Sequence, residues 1–276
     1  MNSLIIGQSA TGKTTTIKKQ LESIQGKVII LDFNNQYNEF VPEKYKYFLD
    51  DVNPILGEID LNDARAINAG YLYTSNCLHN KCEELLRETK VERKEGLIEE
   101  ALERLHISWD NTEMAYAKEL TKRIPIRKNK KHISIDEALE TLSSFPIVSL
   151  KSKSMHSDHM RAVAFTLLSR LSRTTNEPFY IVADDLTSFF NQGNVGLLLK
   201  TMNLENIHFI VGFNKMTNIP KRLYPLMDRI YLHRFESNAD LKELKKLGLK
   251  TKKNVKKLEN GEYALIETKT KQEVSL

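Results

Sequence analysis

Cysteine is almost missing from this 276-residue chain: Cys77 and Cys82 are the only two, too few for a disulfide framework. Glycine is sparse at 11 residues, and a hydrophobic content of 41% excludes a collagenous, low-complexity or disordered chain. No apolar run approaches the roughly 18 residues of a membrane span, which removes transporters and tail-anchored proteins. No apolar stretch with a small-residue cleavage site precedes the first structured segment, so a reducing cytoplasm is the expected compartment. A chain of this length buries about 75% of its unfolded surface, and a sizeable core is available.

The net charge of +5 hides an uneven distribution. Residues 242–257 (KELKKLGLKTKKNVKK) hold 8 lysines and one acid, and residues 122–131 (KRIPIRKNKK) hold 6 basic residues and no acid. Together they take 14 of 41 basic residues and 1 of 36 acidic ones, leaving 27 against 35 and a remainder at −8. Local charge of this kind suits an acidic partner, or is simply a solvated face.

Continuous apolar runs mark the strands. Ser3-Leu4-Ile5-Ile6 ends in Gly7 and is followed by helix-compatible Lys13 to Ile24; Lys27 to Leu31 is a second run, ending in Asp32. Pro146 to Leu150, Phe179 to Ala183, Ile207 to Phe213, Ile230 to Leu232 and Tyr263 to Ile266 read as further strands. Asp158 to Ser172 has a helical apolar face. Residues 60–145 read differently, as a helical insertion: amphipathic patterning over 83–105, further helices over 110–120 and 135–142, the last opened by Ser134 and Glu137 as a capping box. Alternating strands and helices predict an α/β fold with a mostly parallel sheet, a single domain over 1–276 with the insertion inside it.

Gly7-Gln8-Ser9-Ala10-Thr11-Gly12-Lys13-Thr14 matches G-x-x-x-x-G-K-[ST] and stands between a strand and a helix, the context that the motif requires. Gly7, Gln8, Ser9, Ala10, Thr11, Gly12, Lys13, Thr14 and Thr15 are therefore the candidate ATP-binding residues. The loop N–H groups face the phosphates, Lys13 reaches the β- and γ-phosphates, and the Thr14 hydroxyl ligates Mg²⁺. Beside the Thr14 hydroxyl, one carboxylate must hold the metal and another orient the attacking water. Phe179-Tyr180-Ile181-Val182-Ala183-Asp184-Asp185 supplies both at the C-terminal edge of a strand, with Asp184 expected to hold the metal through water and Asp185 to polarise the attacking water. The next strand ends in Asn214, whose amide is placed to reach the γ-phosphate or the water.

These motifs, in this order, resemble the HerA/FtsK superfamily of DNA-pumping ring ATPases. The matching segments are GQSATGKT, the second strand with its tail LDFNNQY, FYIVADD, and FIVGFNKMTNIPKRLYPLMDRIYLHRF, so the resemblance covers about residues 1–40 and 146–267. It implies a RecA-like P-loop NTPase core that binds ATP and Mg²⁺ and assembles as a hexameric ring. It further implies sequence-independent movement of double-stranded DNA, a recruiting protein partner, no membrane insertion, and a place in the cytoplasm of a cell or of a viral or phage host. The P-loop opens at residue 7, which leads to the expectation of a stripped motor without the N-terminal barrel or membrane anchor of larger relatives.

The sequence departs from the family pattern in three places. Asp184-Asp185 stands where Asp-Glu is usual, which predicts slow turnover. Gln36 replaces the glutamate before Tyr37. The segment from Leu197 to Asn206 carries Lys200 and no arginine for a neighbouring subunit, so Arg170, Arg173, Arg222, Arg229 and Arg234 stay open as the source of a trans cation. Cys77, His79 and Cys82 lack a nearby fourth ligand for zinc, and His156 and His159 read as surface residues at a helix start. Two other functions compete with the motor: a P-loop kinase of a small phosphate acceptor with Arg123 and Arg127 in a lid, and a slow ATP-gated assembly switch.

Overall fold

Nearly every residue of Ser3–Ile6 (β1) and Lys27–Leu31 (β2) is buried, as expected for strands covered on both faces. The computed structural model describes residues 1–33, 35–49, 52, 61–71, 133–151, 158–175, 177–185, 192–251 and 253–268. Further strands are Lys46–Phe48 (β3), Ile147–Lys151 (β4), Phe179–Ala183 (β5), Ile207–Phe213 (β6), Arg229–Leu232 (β7) and Ala264–Glu267 (β8). They form one eight-stranded sheet in the order β3-β4-β2-β5-β6-β1-β7-β8. All neighbouring pairs are parallel except β7 with β8. The mostly parallel α/β core expected from the sequence is the one observed.

The two-residue period of a strand sorts the core onto the two faces of this sheet. Leu4, Ile6, Ile29 and Leu31 join one cluster, while Ile5, Val28 and Ile30 join the other. Helix α1 (Lys13–Leu21) covers the second face through Ile17 and Leu21, together with Tyr37 and Val41. The larger first face carries α2 (Leu61–Tyr71), α3 (Ile135–Ser143), α4 (Asp158–Thr174) and α5 (Gln192–Thr201), with α2 packed on both α4 and α5. Helix α6 (Asn238–Lys246) follows β7 and is capped by the Ser237 side chain, which accepts from the Asp240 N–H. None of the described helices is long and apolar enough to cross a membrane.

At α3 the expected capping box is present: Ser134 Oγ accepts from Glu137 N at 3.2 Å, and Glu137 Oε2 accepts from Ser134 N at 2.8 Å. Both described ends of the 60–145 segment, α2 and α3, pack on α4. The helices expected over 83–105 and 110–120, the Cys77-His79-Cys82 cluster, the basic run 122–131 and His156 lie outside the described residues. Strand β3 was not anticipated, because three half-exposed residues at a sheet edge carry no periodicity of their own.

Candidate active site

The sheet brings the sequence-predicted residues to one edge. Strand β6 lies between β1 and β5, with Phe213 paired to Ile6 and Val211 to Ala183. The P-loop after β1, Asp184 after β5 and Asn214 after β6 therefore open from the same C-terminal end, where open α/β sheets bind ligands. A Cβ at Gly212 would come within 2.6 Å of Asp184 Oδ1, so a side chain there would displace that carboxylate.

Between β1 and α1 the loop is sewn to its neighbours through its backbone. Gly7 N donates to Phe213 O at 3.2 Å and Gln8 N to Arg234 O at 3.1 Å, while Thr11 O accepts from Gly261 N at 3.0 Å. Ala10 (φ 62°) and Gly12 (φ 97°) adopt left-handed conformations, which turn successive N–H groups toward a common concavity. At Gly12 a side chain is excluded twice over, by this φ and by Gly261 Cα, which would stand 2.8 Å from its Cβ. Helix α1 has neither a side-chain cap nor an acidic residue in its first turn, so its N-terminal N–H groups and the positive end of its dipole stay available to an anion.

Lys13 is 6% exposed and donates through Nζ to Gln8 O at 2.8 Å. Burial lowers its pKa, opposed by the charges of Asp184 and Asp185, which places both carboxylates within electrostatic reach of the ammonium. The Thr14 hydroxyl donates directly to Asp184 Oδ2, so the two groups expected to share the metal already meet. Asp184 Oδ1 accepts from Asp185 N at 2.9 Å. Asp185 itself sits at φ 51°, a conformation that aspartate tolerates better than most residues and that marks local strain beside the site.

Two residues of the tail after β2 close the same cluster. Tyr37 Oη donates to Asp184 Oδ2 at 3.4 Å, and Gln36 Oε1 stands 3.5 Å from Thr14 Oγ1, whose one proton goes to Asp184. Burial, followed by the Asp184 carboxylate, pushes the Tyr37 pKa far up, so the phenol remains an O–H donor. Ala10, Gly12, Lys13, Thr14 and Thr15 line a cleft of about 450 Å³ whose far wall is the turn Asn260–Gly261. The sequence reading missed this wall, and it missed His233, a fully buried ring whose Nε2 lies 3.0 Å from Thr16 Oγ1 in α1.

Among the arginines, Arg170 and Arg173 are committed within the chain: both pair with Asp63, at 2.7 Å each, and Asp63 is 1% exposed. Arg222 donates to Gly196 O at 3.4 Å, and Arg229 pairs with Glu267 at 3.3 Å. Among the described residues no three His, Cys, Asp or Glu side chains gather as a metal site. The donor set that does fit a cation is Thr14 Oγ1 with Asp184 Oδ2, two hard oxygens beside a phosphate cradle, which suits Mg²⁺ rather than a softer metal.

No protein-family model and no curated protein matches the chain. Solved structures do. The bacterial conjugative coupling protein TrwBdeltaN70 superposes with a TM-score of 0.56 at 14% identity, over 90% of this chain and 71% of its own. VirB4 of Thermoanaerobacter pseudethanolicus gives 0.56 at 15% identity, over 96% and 86%. The genome packaging NTPase B204 from Sulfolobus turreted icosahedral virus 2, in complex with ATP-gammaS, gives 0.51 at 11% identity, over 98% and 93%. The chain shares the fold of these three proteins, and the P-loop NTPase core implied by the motif resemblance is the fold observed.

Proposed function

We propose that the chain is a Mg²⁺-dependent ATPase of the HerA/FtsK type, a hexameric ring motor that moves double-stranded DNA without regard to sequence. The observation that carries this reading is the meeting of Thr14 with Asp184 beside Lys13, below a helix N-terminus left open for phosphate. The fold shared with a conjugative coupling protein and a viral genome packaging NTPase supports the motor class over other P-loop chemistries. The P-loop core and the 60–145 segment are taken as one domain over 1–276, recruited to its DNA by a protein partner in a cytoplasmic setting.

In this reading the triphosphate draws Lys13 Nζ away from Gln8 O and onto the β- and γ-phosphate oxygens, while the N–H groups of the loop and of Thr14 and Thr15 hold the remaining oxygens. Thr14 Oγ1 and Asp184 Oδ2 would hold Mg²⁺, which supplies charge neutralisation on the phosphates. Asp185 accepts a hydrogen bond from the attacking water and aligns it with the γ-phosphorus; Asn214 donates its amide N–H to a γ-phosphate oxygen. Water adds at phosphorus, the bond to the β–γ bridging oxygen breaks, and ADP and inorganic phosphate leave. Catalysis is thus positioning and charge neutralisation, with no covalent intermediate on the protein.

The test is steady-state ATP hydrolysis with and without double-stranded DNA. The expected result is stimulation by DNA and a loss of at least about a hundredfold in Lys13→Ala, the scale on which removing one group that stabilises transition-state charge acts. Turnover indifferent to DNA and raised by a small hydroxyl acceptor would instead make the chain a kinase. Turnover indifferent to both, with assembly following ATP binding, would make it a switch.

A further inference from the structure

Lys151, the last residue of β4, is 3% exposed, yet it is neither in the P-loop nor in contact with the candidate catalytic carboxylates. Its ammonium has three N–H donors, and three oxygens take them: Asp32 Oδ2 at 3.1 Å, Asn35 Oδ1 at 2.7 Å and Asn38 Oδ1 at 2.7 Å. All three acceptors belong to the single tail that leaves β2. Asp32, 2% exposed, turns the same tail from the other side: its Oδ1 accepts from Gln36 N at 2.7 Å and its Oδ2 from Tyr37 N at 3.3 Å. Asn35 completes the fold-back in a left-handed conformation, φ 55°.

The tail held in this way carries the two side chains that reach the Thr14–Asp184 pair, Gln36 and Tyr37. A buried ammonium is costly to desolvate, and here all three of its donors are spent on one short loop. We infer that Lys151 and Asp32 form a positioning clamp for the metal-holding pair, acting through Gln36 and Tyr37 and touching neither nucleotide nor metal. Lys151 is a positioning residue in this account, and the inference rests on the ATPase reading above.

The clamp makes a prediction that a plain scaffold does not. Groups that orient metal ligands typically change metal affinity or activity by about 10- to 100-fold when removed. The test measures Mn²⁺ affinity of the ADP complex by electron paramagnetic resonance, ADP affinity without metal, and kcat and KM for ATP. Lys151→Met alone would leave the Asp32 carboxylate buried and unpaired, so the variant to use is Lys151→Met with Asp32→Asn, which removes both charges together. Expected are a Mn²⁺ dissociation constant raised about tenfold, a comparable fall in kcat, and metal-free ADP affinity within about twofold of wild type.

Tyr37→Phe should reproduce part of the Mn²⁺ loss. Adding the double substitution to Tyr37→Phe should cost less than the two losses multiplied, since both act on Asp184 by one route. Asn35→Gly keeps the left-handed backbone and deletes one acceptor, so it gives a smaller loss in the same direction and serves if the double variant does not fold. The inference is overturned if the folded variants keep Mn²⁺ affinity and kcat within twofold, if the losses multiply fully, or if metal-free ADP binding falls in step. Wild-type protein that binds no ADP·Mn²⁺ and turns over no ATP overturns the ATPase reading instead, and the clamp's purpose with it.

Discussion

His233 is a buried imidazole next to the loop between β1 and α1, and its protonation state bears on the stability of that loop. Burial lowers its pKa, opposed by backbone hydrogen bonds with Thr11 and Glu262 and reinforced by the nearby Lys13 ammonium, and the net shift is downward. The folded protein therefore holds the ring neutral at a pH where the unfolded chain, with an ordinary histidine pKa near 6.5, begins to take up a proton. More protons bind to the unfolded state in that window, so stability is complete above about pH 6.5 and declines as the pH falls below it. In His233→Gln the amide can still bond Thr16 Oγ1, and this share of the decline disappears. Urea denaturation at pH 7.5 and 5.5 checks it: wild type should lose more stability than the variant, and equal losses would remove His233 as the cause. Neither His233 beside the loop nor Lys151 behind the tail of β2 was legible in the sequence. The P-loop was legible because its residues are consecutive and each does its work locally. The other two depend on which strands flank β1 and β2, and strand order is not written in any local pattern.

At the scale of elements, the buried parallel strands were readable because continuous apolar runs between glycine, proline and polar residues have few other uses. Helix α3 was readable from its capping box. What failed to show was tertiary in origin: edge strand β3, and the engagement of α2 with α4 through Asp63. That carboxylate is 1% exposed and binds Arg170 and Arg173 of α4, while Arg170 also reaches Asp136 of α3. Three helices are thus tied at one point. Asp63→Ala would leave two arginines without their shared partner, and removing one member of a buried pair costs about 3–5 kcal/mol. Because Arg173 is about a quarter exposed, with 24% of its side chain accessible, water recovers part of its share, and we expect a loss of about 3 kcal/mol. The midpoint of denaturant unfolding reads this directly; a loss below about 1 kcal/mol would mean that the arginines re-pair with other acceptors. Arg170 and Arg173 are thus held by Asp63 within the chain.

Across the whole molecule, the charge imbalance resolves into a place. Lys242, Lys245, Lys246, Lys250, Lys253, Lys256 and Lys257 are all exposed. Part of this has a local explanation: Lys245 and Lys246 occupy the last turn of α6, where cations oppose the negative end of the helix dipole, and Lys246 pairs with Glu243 at 3.3 Å. Lys256 and Lys257 end a short 3-10 turn, and Lys256 Nζ donates to Asn238 Oδ1 at 3.4 Å, whereas Lys253 stands apart; all three lie just before the turn whose Gly261 N–H holds Thr11 O of the P-loop. A DNA contact made there would sit a few residues from the nucleotide cleft, on the same stretch of chain. Neutralising phosphates releases counterions, and log K falls with log salt by about 0.9 for each phosphate contact on duplex DNA. If these three lysines each meet a phosphate, changing all of them to Gln should weaken duplex binding at low salt and reduce the salt slope by about 3, equally for unrelated sequences. ATP hydrolysis without DNA should be unchanged, since none of the three lines the cleft. Fluorescence anisotropy of labelled duplexes across a salt series measures the slope, and a slope unaltered by the triple substitution would return the lysine run to a solvated surface.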